Sequence, residues 1–150
     1  MPLVMGAQRL EELARRVSDL TLYKNDLAQL SDLASRKLND LLIIGARNAS
    51  YNGRDLVVAP DLPLTKGLLQ SMDDLSLYLE EIELEPILEQ LATYPPLDRQ
   101  LSEEVVQMLP ELVGTIILVT VKFVVTVYPD MSNLDSDTWE RVSRAMDLLL

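Results

Sequence analysis

The side chains in this 150-residue chain with the charge and spacing to do chemistry are carboxylates and a scattered set of bases. Glu80, Glu81, Glu83 and Glu85 fall close together and could offer oxygen ligands to a hard cation. No Asp/Asn/Gly loop with the spacing of a cation cage surrounds them, so they read as the solvated start of a helix and no metal is expected. Glu103 and Glu104 are neighbours that point around a helix and do not converge across it, which argues against an acid–base dyad. The chain contains no histidine and no cysteine. Their absence removes the commonest general base, the commonest transition-metal ligand and the thiolate nucleophile, and with them Ser-His-Asp and Cys-His triads and structural zinc sites. Phosphate loops of the G-x-G-x-x-G or G-K-[ST] kind are missing, Lys66-Gly67 being an isolated pair. A non-enzyme with no cofactor and no small-molecule substrate is expected. An unknown hydrolase is the remotest reading, and Glu103 is the residue whose change would test it.

Contact with nucleic acid would have to come from Lys24, Arg36, Lys37, Arg47 and Lys66, together with Arg54. Duplex binding draws its free energy from counterion release over a clustered basic surface. The formal net charge is −11; residues 1–75 carry 9 Lys/Arg against 10 Asp/Glu, and residues 76–150 carry 4 against 14. The second half therefore has no basic surface to offer. Arg36 and Lys37 fall on the expected outer face of a long helix with Asp32 and Asp40 within a turn, and read first as solvated i,i+4 partners.

Hydrophobic residues make up 48% of the chain and aromatics only 5%, so a substantial interior must be built from Leu, Val and Ile. The length suits one ordinary domain or two very small ones sharing a core, and the shared core is the better reading. A cytoplasmic location is expected, because cysteine is absent and MPLVMGAQRLEELARR lacks the long apolar run of a secretory signal. Leu112 to Tyr128 is a 17-residue apolar run containing Lys122. That is short of the roughly 20 residues a bilayer helix needs, so a core helix apolar on all sides is expected and no membrane partner.

These residues are positioned by a recognisable order of elements. Leu10, Leu13, Ala14, Val17 and Leu20 predict a short amphipathic helix over Gln8–Asp19, followed by a loop at Thr21-Leu22-Tyr23. Asn25 reads as the N-cap of a long helix, Asp26–Tyr51, whose Leu27, Leu30, Ala34, Leu38, Leu41 and Gly45 share one face. Asn52-Gly53 is a helix-end signal; it is also a hairpin signal, but the preceding flank has helical period. Leu56-Val57-Val58 reads as extended, and Pro60-Asp61 opens a third helix to about Met72. The second half repeats the order: a short helix over Leu84–Thr93, a rigid Tyr94–Leu97 loop, and Asp98 as N-cap of a long segment to Tyr128. Pro110 predicts a kink near Gln107–Leu109 or two helices in line. A last helix, Thr138–Leu149, follows an N-cap in Asp135–Asp137 and carries Trp139 into the core or an interface. A buried strand over Ile116–Val127 competes for the β-branched run but exceeds ordinary strand length.

Lys24-Asn25-Asp26, the helix to Tyr51, and then YNGRD and PDLPLTKGL resemble a prokaryotic family in which two histone folds are joined in one chain. The motifs lie within Asn25–Gly67, and the second half matches in layout only. The resemblance implies an all-α fold, tandem histone folds packed as an intramolecular pseudodimer, with halves 1–75 and 76–150 around a single core. It also implies that Arg54 and Asp61, seven positions apart, form a structural ion pair holding the second loop. In DNA-binding archaeal histones that loop continues with a phosphate-contacting Lys and then a Thr; Asp55 and Leu56 stand there instead. Helices Asp26–Tyr51 and Arg99–Tyr128 should cross centrally, with Leu56–Val58 beside Tyr94–Leu97 and Thr21–Tyr23 beside Met131–Leu134. Neither half should fold alone. The expected role is a protein interaction or assembly module with a protein partner or self-association; the alternative is a nucleoid DNA-binding protein, disfavoured by Asp55, Leu56 and the net charge.

Overall fold

In the computed structural model, which describes residues 3–78 and 81–150, the first short helix spans Ala7–Val17 (α1) and buries Leu10, Leu13 and Ala14. Helix α2 runs Lys24–Tyr51, and its predicted face from Leu27 to Leu41 is buried throughout. Asn25 is not its N-cap: the helix starts two residues earlier than expected, behind Tyr23, and the Asp26 carboxylate reaches back to accept the Tyr23 N–H at 2.8 Å. At the other end Gly53 adopts φ +68°, while the Gly53 N–H donates to Ser50 and the Arg54 N–H to Ala49, satisfying the last carbonyls of α2. Leu56–Val57 is a two-residue strand, β1. The third helix begins later than the sequence suggested. Ala59–Asp61 is a single 3-10 turn, Leu62 before Pro63 is extended, and α3 starts at Lys66 behind the N-cap Thr65 and ends at Leu75.

In the second half α4 spans Glu85–Leu91 and strand β2 is Gln100–Leu101. Asp98 is likewise not a cap; Ser102 is, accepting the Val105 N–H at 3.2 Å, and α5 runs Glu103–Val127. The run Ile116–Val127 is helical, and α5 continues through Pro110 as one helix where two in line were an option. Leu109, Leu112 and Val113, fully buried around that proline, hold the turn in place. Asp135 caps α6 (Ser136–Leu149) by accepting the Thr138 N–H at 2.8 Å.

Packing explains why these elements stay together. Helix α5 is long and apolar enough to cross a membrane by length and composition, yet most of it is buried inside the protein. It is covered chiefly by α3 and α2, then by α1, all from the first half. One main core draws Leu10, Leu38, Leu68 and Val57 together with Ile87, Leu109 and Ile117; a smaller cluster of Leu33, Val124, Val142 and Met146 lies under α6. The loops of the two halves meet at both ends of α2. Thr21 N–H donates to Ser132 C=O at 2.9 Å before it, and after it β1 pairs in parallel with β2, Leu56 opposite Gln100 and Val57 opposite Leu101. The partner of β1 is thus Gln100–Leu101, a few residues beyond the expected Tyr94–Leu97, because the chain stays extended until Ser102. Gly45 lets this loop sit on α2: a Cβ there would lie 3.0 Å from side-chain atoms of both Val57 and Leu62.

Asp26 also accepts the indole N–H of Trp139 at 2.8 Å, tying the start of α2 to α6, and both residues are buried. Asp26→Ala would remove a cap and leave a buried N–H without its partner, at a cost of about 2–4 kcal/mol. Urea unfolding is expected to show that loss, with a red shift in the folded-state emission of Trp139, the sole tryptophan. A change within about 0.5 kcal/mol, the range of ordinary surface substitutions, would contradict this assignment.

Candidate interaction surface at the end of helix α2

The side chains singled out in the sequence converge most closely just after α2. The Gly53 turn aims the Arg54 side chain back across the loop, where Nη1 meets Asp61 Oδ2 and Nη2 meets Oδ1 at 2.7 Å. Asp61 is only 3% exposed and its Oδ2 also accepts the Val58 N–H at 2.9 Å. Those donors, Arg54 before Val58, hold the Asp61 carboxyl below the ordinary range against the opposing effect of burial; the same pair raises the Arg54 guanidinium. A forked pair of this kind engages both terminal nitrogens of Arg54.

Arg99, expected only as the first residue of the second long helix, lies before it and fastens this loop from the second half. Its Nε donates to Arg54 C=O at 3.2 Å and its Nη2 to Ser50 Oγ at 3.3 Å, so one guanidinium bridges the end of α2 and the strand pair. Beside it lies an open cleft of about 490 Å³. One wall is the α2 stripe Ile43, Arg47, Tyr51; the other is Pro95, Pro96, Leu97 and Asp98. Arg47 stacks over the Tyr51 ring at 5.4 Å and donates to its hydroxyl at 3.2 Å.

The remaining bases do not gather here. Lys24, first in α2, is exposed and stands about 34 Å along the helix from Arg47. Lys66 is exposed at the start of α3. Lys37 is not a solvated outer-face residue: it is buried, its Nζ 2.9 Å from Asp147 and 3.0 Å from Asp40, because α6 covers that part of α2. Arg36 joins the same contact through Ser143 at 2.6 Å, with Asp32 at 3.4 Å. Lys37 foremost, then Arg36, holds the Asp147 carboxyl below its ordinary range. Asp55 and Leu56 are exposed beside Arg54.

Of the acidic group, Glu80 lies outside the described residues; Glu81, Glu83 and Glu85 are exposed, and Glu85 opens α4. Glu103 and Glu104 are exposed in the first turn of α5. No three carboxylates among the described residues are placed to share a cation.

The ion pair has a pH signature. Asp61 titrates lower folded than unfolded, where about 3.9 is usual, so its contribution is full above that value and is lost as pH falls through it toward the folded one. Urea midpoints between neutral pH and pH ~2.5, a span that brackets the unfolded carboxylate value, should fall more steeply for the native chain than for Asp61→Asn. Parallel curves would show that the pair contributes nothing to stability.

A family model described as a domain of unknown function, DUF1931, matches residues 10–147. Two curated relatives are uncharacterised proteins of Aquifex aeolicus (strain VF5). One is 32% identical over 98 residues, covering 57% of this chain and 58% of the relative. The other is 22% identical over 113 residues, covering 75% and 66%, so the chain spans less than two thirds of either relative's length. A crystal structure of a Thermus thermophilus protein matches with a TM-score of 0.93 at 38% identity, covering 99% of this chain and 100% of that one. A 1.9 Å crystal structure of an Aquifex aeolicus protein, 20% identical with a TM-score of 0.81 over 98% and 97% of the two chains, shares the fold. With the family model matched from the middle of α1 to the last turns of α6, the chain belongs to the DUF1931 family.

Proposed function

We propose that this chain is two histone folds fused in tandem, packed as an intramolecular pseudodimer, and that it serves in the cytoplasm as a non-enzymatic protein interaction and assembly module. The fold half of this reading is supported by the short–long–short helix order in each half and by the reciprocal meeting of the loops at both ends of α2. The Arg54–Asp61 fork stands in the loop where the histone fold carries such a pair.

The observation that carries the functional half is how the cations are occupied. Arg54 is forked onto Asp61, Lys37 and Arg36 are held against α6, and Lys122 pairs with Asp74 at 3.4 Å. Asp55, exposed next to Arg54, sets a carboxylate where a phosphate oxygen would approach. Lys24 and Arg47 are too far apart to act as one patch, and the second half carries a net charge of −10. Surfaces of this kind repel a polyanion. They are compatible with a protein partner, to which Tyr51, Ile43, Leu56 and Leu69 present exposed apolar area.

Titration of duplex DNA against salt tests the ordering. Affinity weaker than about 10⁻⁶ M, the non-specific range, is expected at physiological salt. Nanomolar affinity with a steep negative log–log slope would overturn the assembly reading in favour of nucleoid binding. Asp55→Lys should strengthen whatever residual binding exists and steepen the slope by about 0.9, one phosphate contact.

A further inference from the structure

The cleft between α2 and the Tyr94–Asp98 loop has the composition of a contact centre. Tyr51 is 74% exposed and Ile43 47%, on a rigid helix, and the facing wall is the exposed pair Pro95-Pro96. Tyrosine and arginine are the residues over-represented where interfaces derive their energy, since both bring large area at small entropic cost. Here Arg47 is held in place by the Tyr51 ring and hydroxyl before any partner arrives, through Nε alone. Among the described residues its two terminal nitrogens have no hydrogen-bond partner and are left for a carboxylate. The cleft is poorly suited to a small molecule: it is open, and Ser50 Oγ in its lining already accepts from Arg99.

The two walls carry opposite charges. Arg47 stands on the helical wall and Asp98 on the loop wall, and among the described residues neither enters an ion pair within the chain. A surface with its own complement beside it matches the requirement of a two-fold contact, in which the same patch faces itself and residue i meets residue j twice. We propose that this cleft is the dimer interface of the chain: a second copy docks through a two-fold axis, Arg47 of each pairing with the partner's Asp98, while Tyr51 and Ile43 pack against the partner's Pro95-Pro96. The inference rests on the assembly-module reading and names its partner. Local neutrality favours this face in particular. Two chains of net charge −11 repel over most of their surfaces, and the attraction must come from a patch where both signs are present.

Sedimentation velocity on the full chain over a wide concentration range, with Arg47→Asp and Asp98→Arg, tests it. Both positions are at the rim of the fold, so urea midpoints of the variants serve as the check that each still folds. A native dimer is expected, weakened about tenfold or more by either variant alone, because each sets like charges opposite one another. An equimolar mixture of the two variants restores both pairs and should dimerise as the native chain does; the double variant R47D/D98R should as well. A native chain that is monomeric throughout would overturn the proposal, and so would a dimer indifferent to both variants or a mixture that stays apart. Indifference sinks this face while leaving assembly itself standing, whereas the DNA titration decides the assembly reading independently.

Discussion

Everything in this structure follows from having to cover α5. A 25-residue helix that buries Leu109, Leu112, Val113, Ile116, Ile117, Leu118, Val121 and Val124 presents apolar surface on nearly all sides. Its own half supplies only the 7-residue α4 and the 14-residue α6, and α6 covers the end marked by Val124. The rest is covered by α1, α2 and α3. Because the first half's short helices lie along the second half's long one, the two halves exchange cover, and each loop junction forms only when both are present. Lys122, the one charge in the apolar run, sits where α3 brings Asp74 within reach at its margin. Removing apolar area from water at roughly 25 cal/mol per Å² stabilises such an arrangement only if the halves arrive together.

Three aspartates then fix what packing leaves free. Asp61 holds the loop after α2, Asp26 joins the start of α2 to Trp139, and Asp147 anchors α6 on Lys37. Two of them, Asp61 and Asp147, occupy a cation of the first half, Arg54 and Lys37. The consequence for function is that this acidic chain spends several of its first-half cations on its own architecture. What it leaves outward is aromatic and apolar area near the end of α2, framed by Arg47 and Asp98.

Much of this was legible in the sequence, and the misses share a physical cause. Hydrophobic period located α1 and α2, caps, turn residues and a continuous apolar run located the other helices, and Gly53 marked the end of α2 because few other residues accept its positive φ. Caps were harder, since several polar residues compete near each start. Asp26 outcompeted Asn25 by reaching back to the Tyr23 N–H, and Ser102 replaced Asp98 because pairing with β1 keeps Gln100–Leu101 extended. Pro63 delayed α3 by forcing Leu62 out of helical geometry. The site residues failed differently. Lys37 looked solvated because nothing local shows that α6, about a hundred positions later, will cover it. Arg99 was passed over for the same reason: its partners Ser50 and Arg54 are 49 and 45 positions away. Side-chain roles set by long-range contacts carry no local periodicity to read.

The shared core is the claim on which the proposed pseudodimer and its single-chain logic stand. Residues 1–75, expressed alone and followed by far-ultraviolet circular dichroism and analytical ultracentrifugation through a urea titration, test it directly. The account predicts a chain without a cooperative transition that regains one on mixing with residues 76–150. A well-ordered monomer of residues 1–75 that melts cooperatively by itself would contradict it.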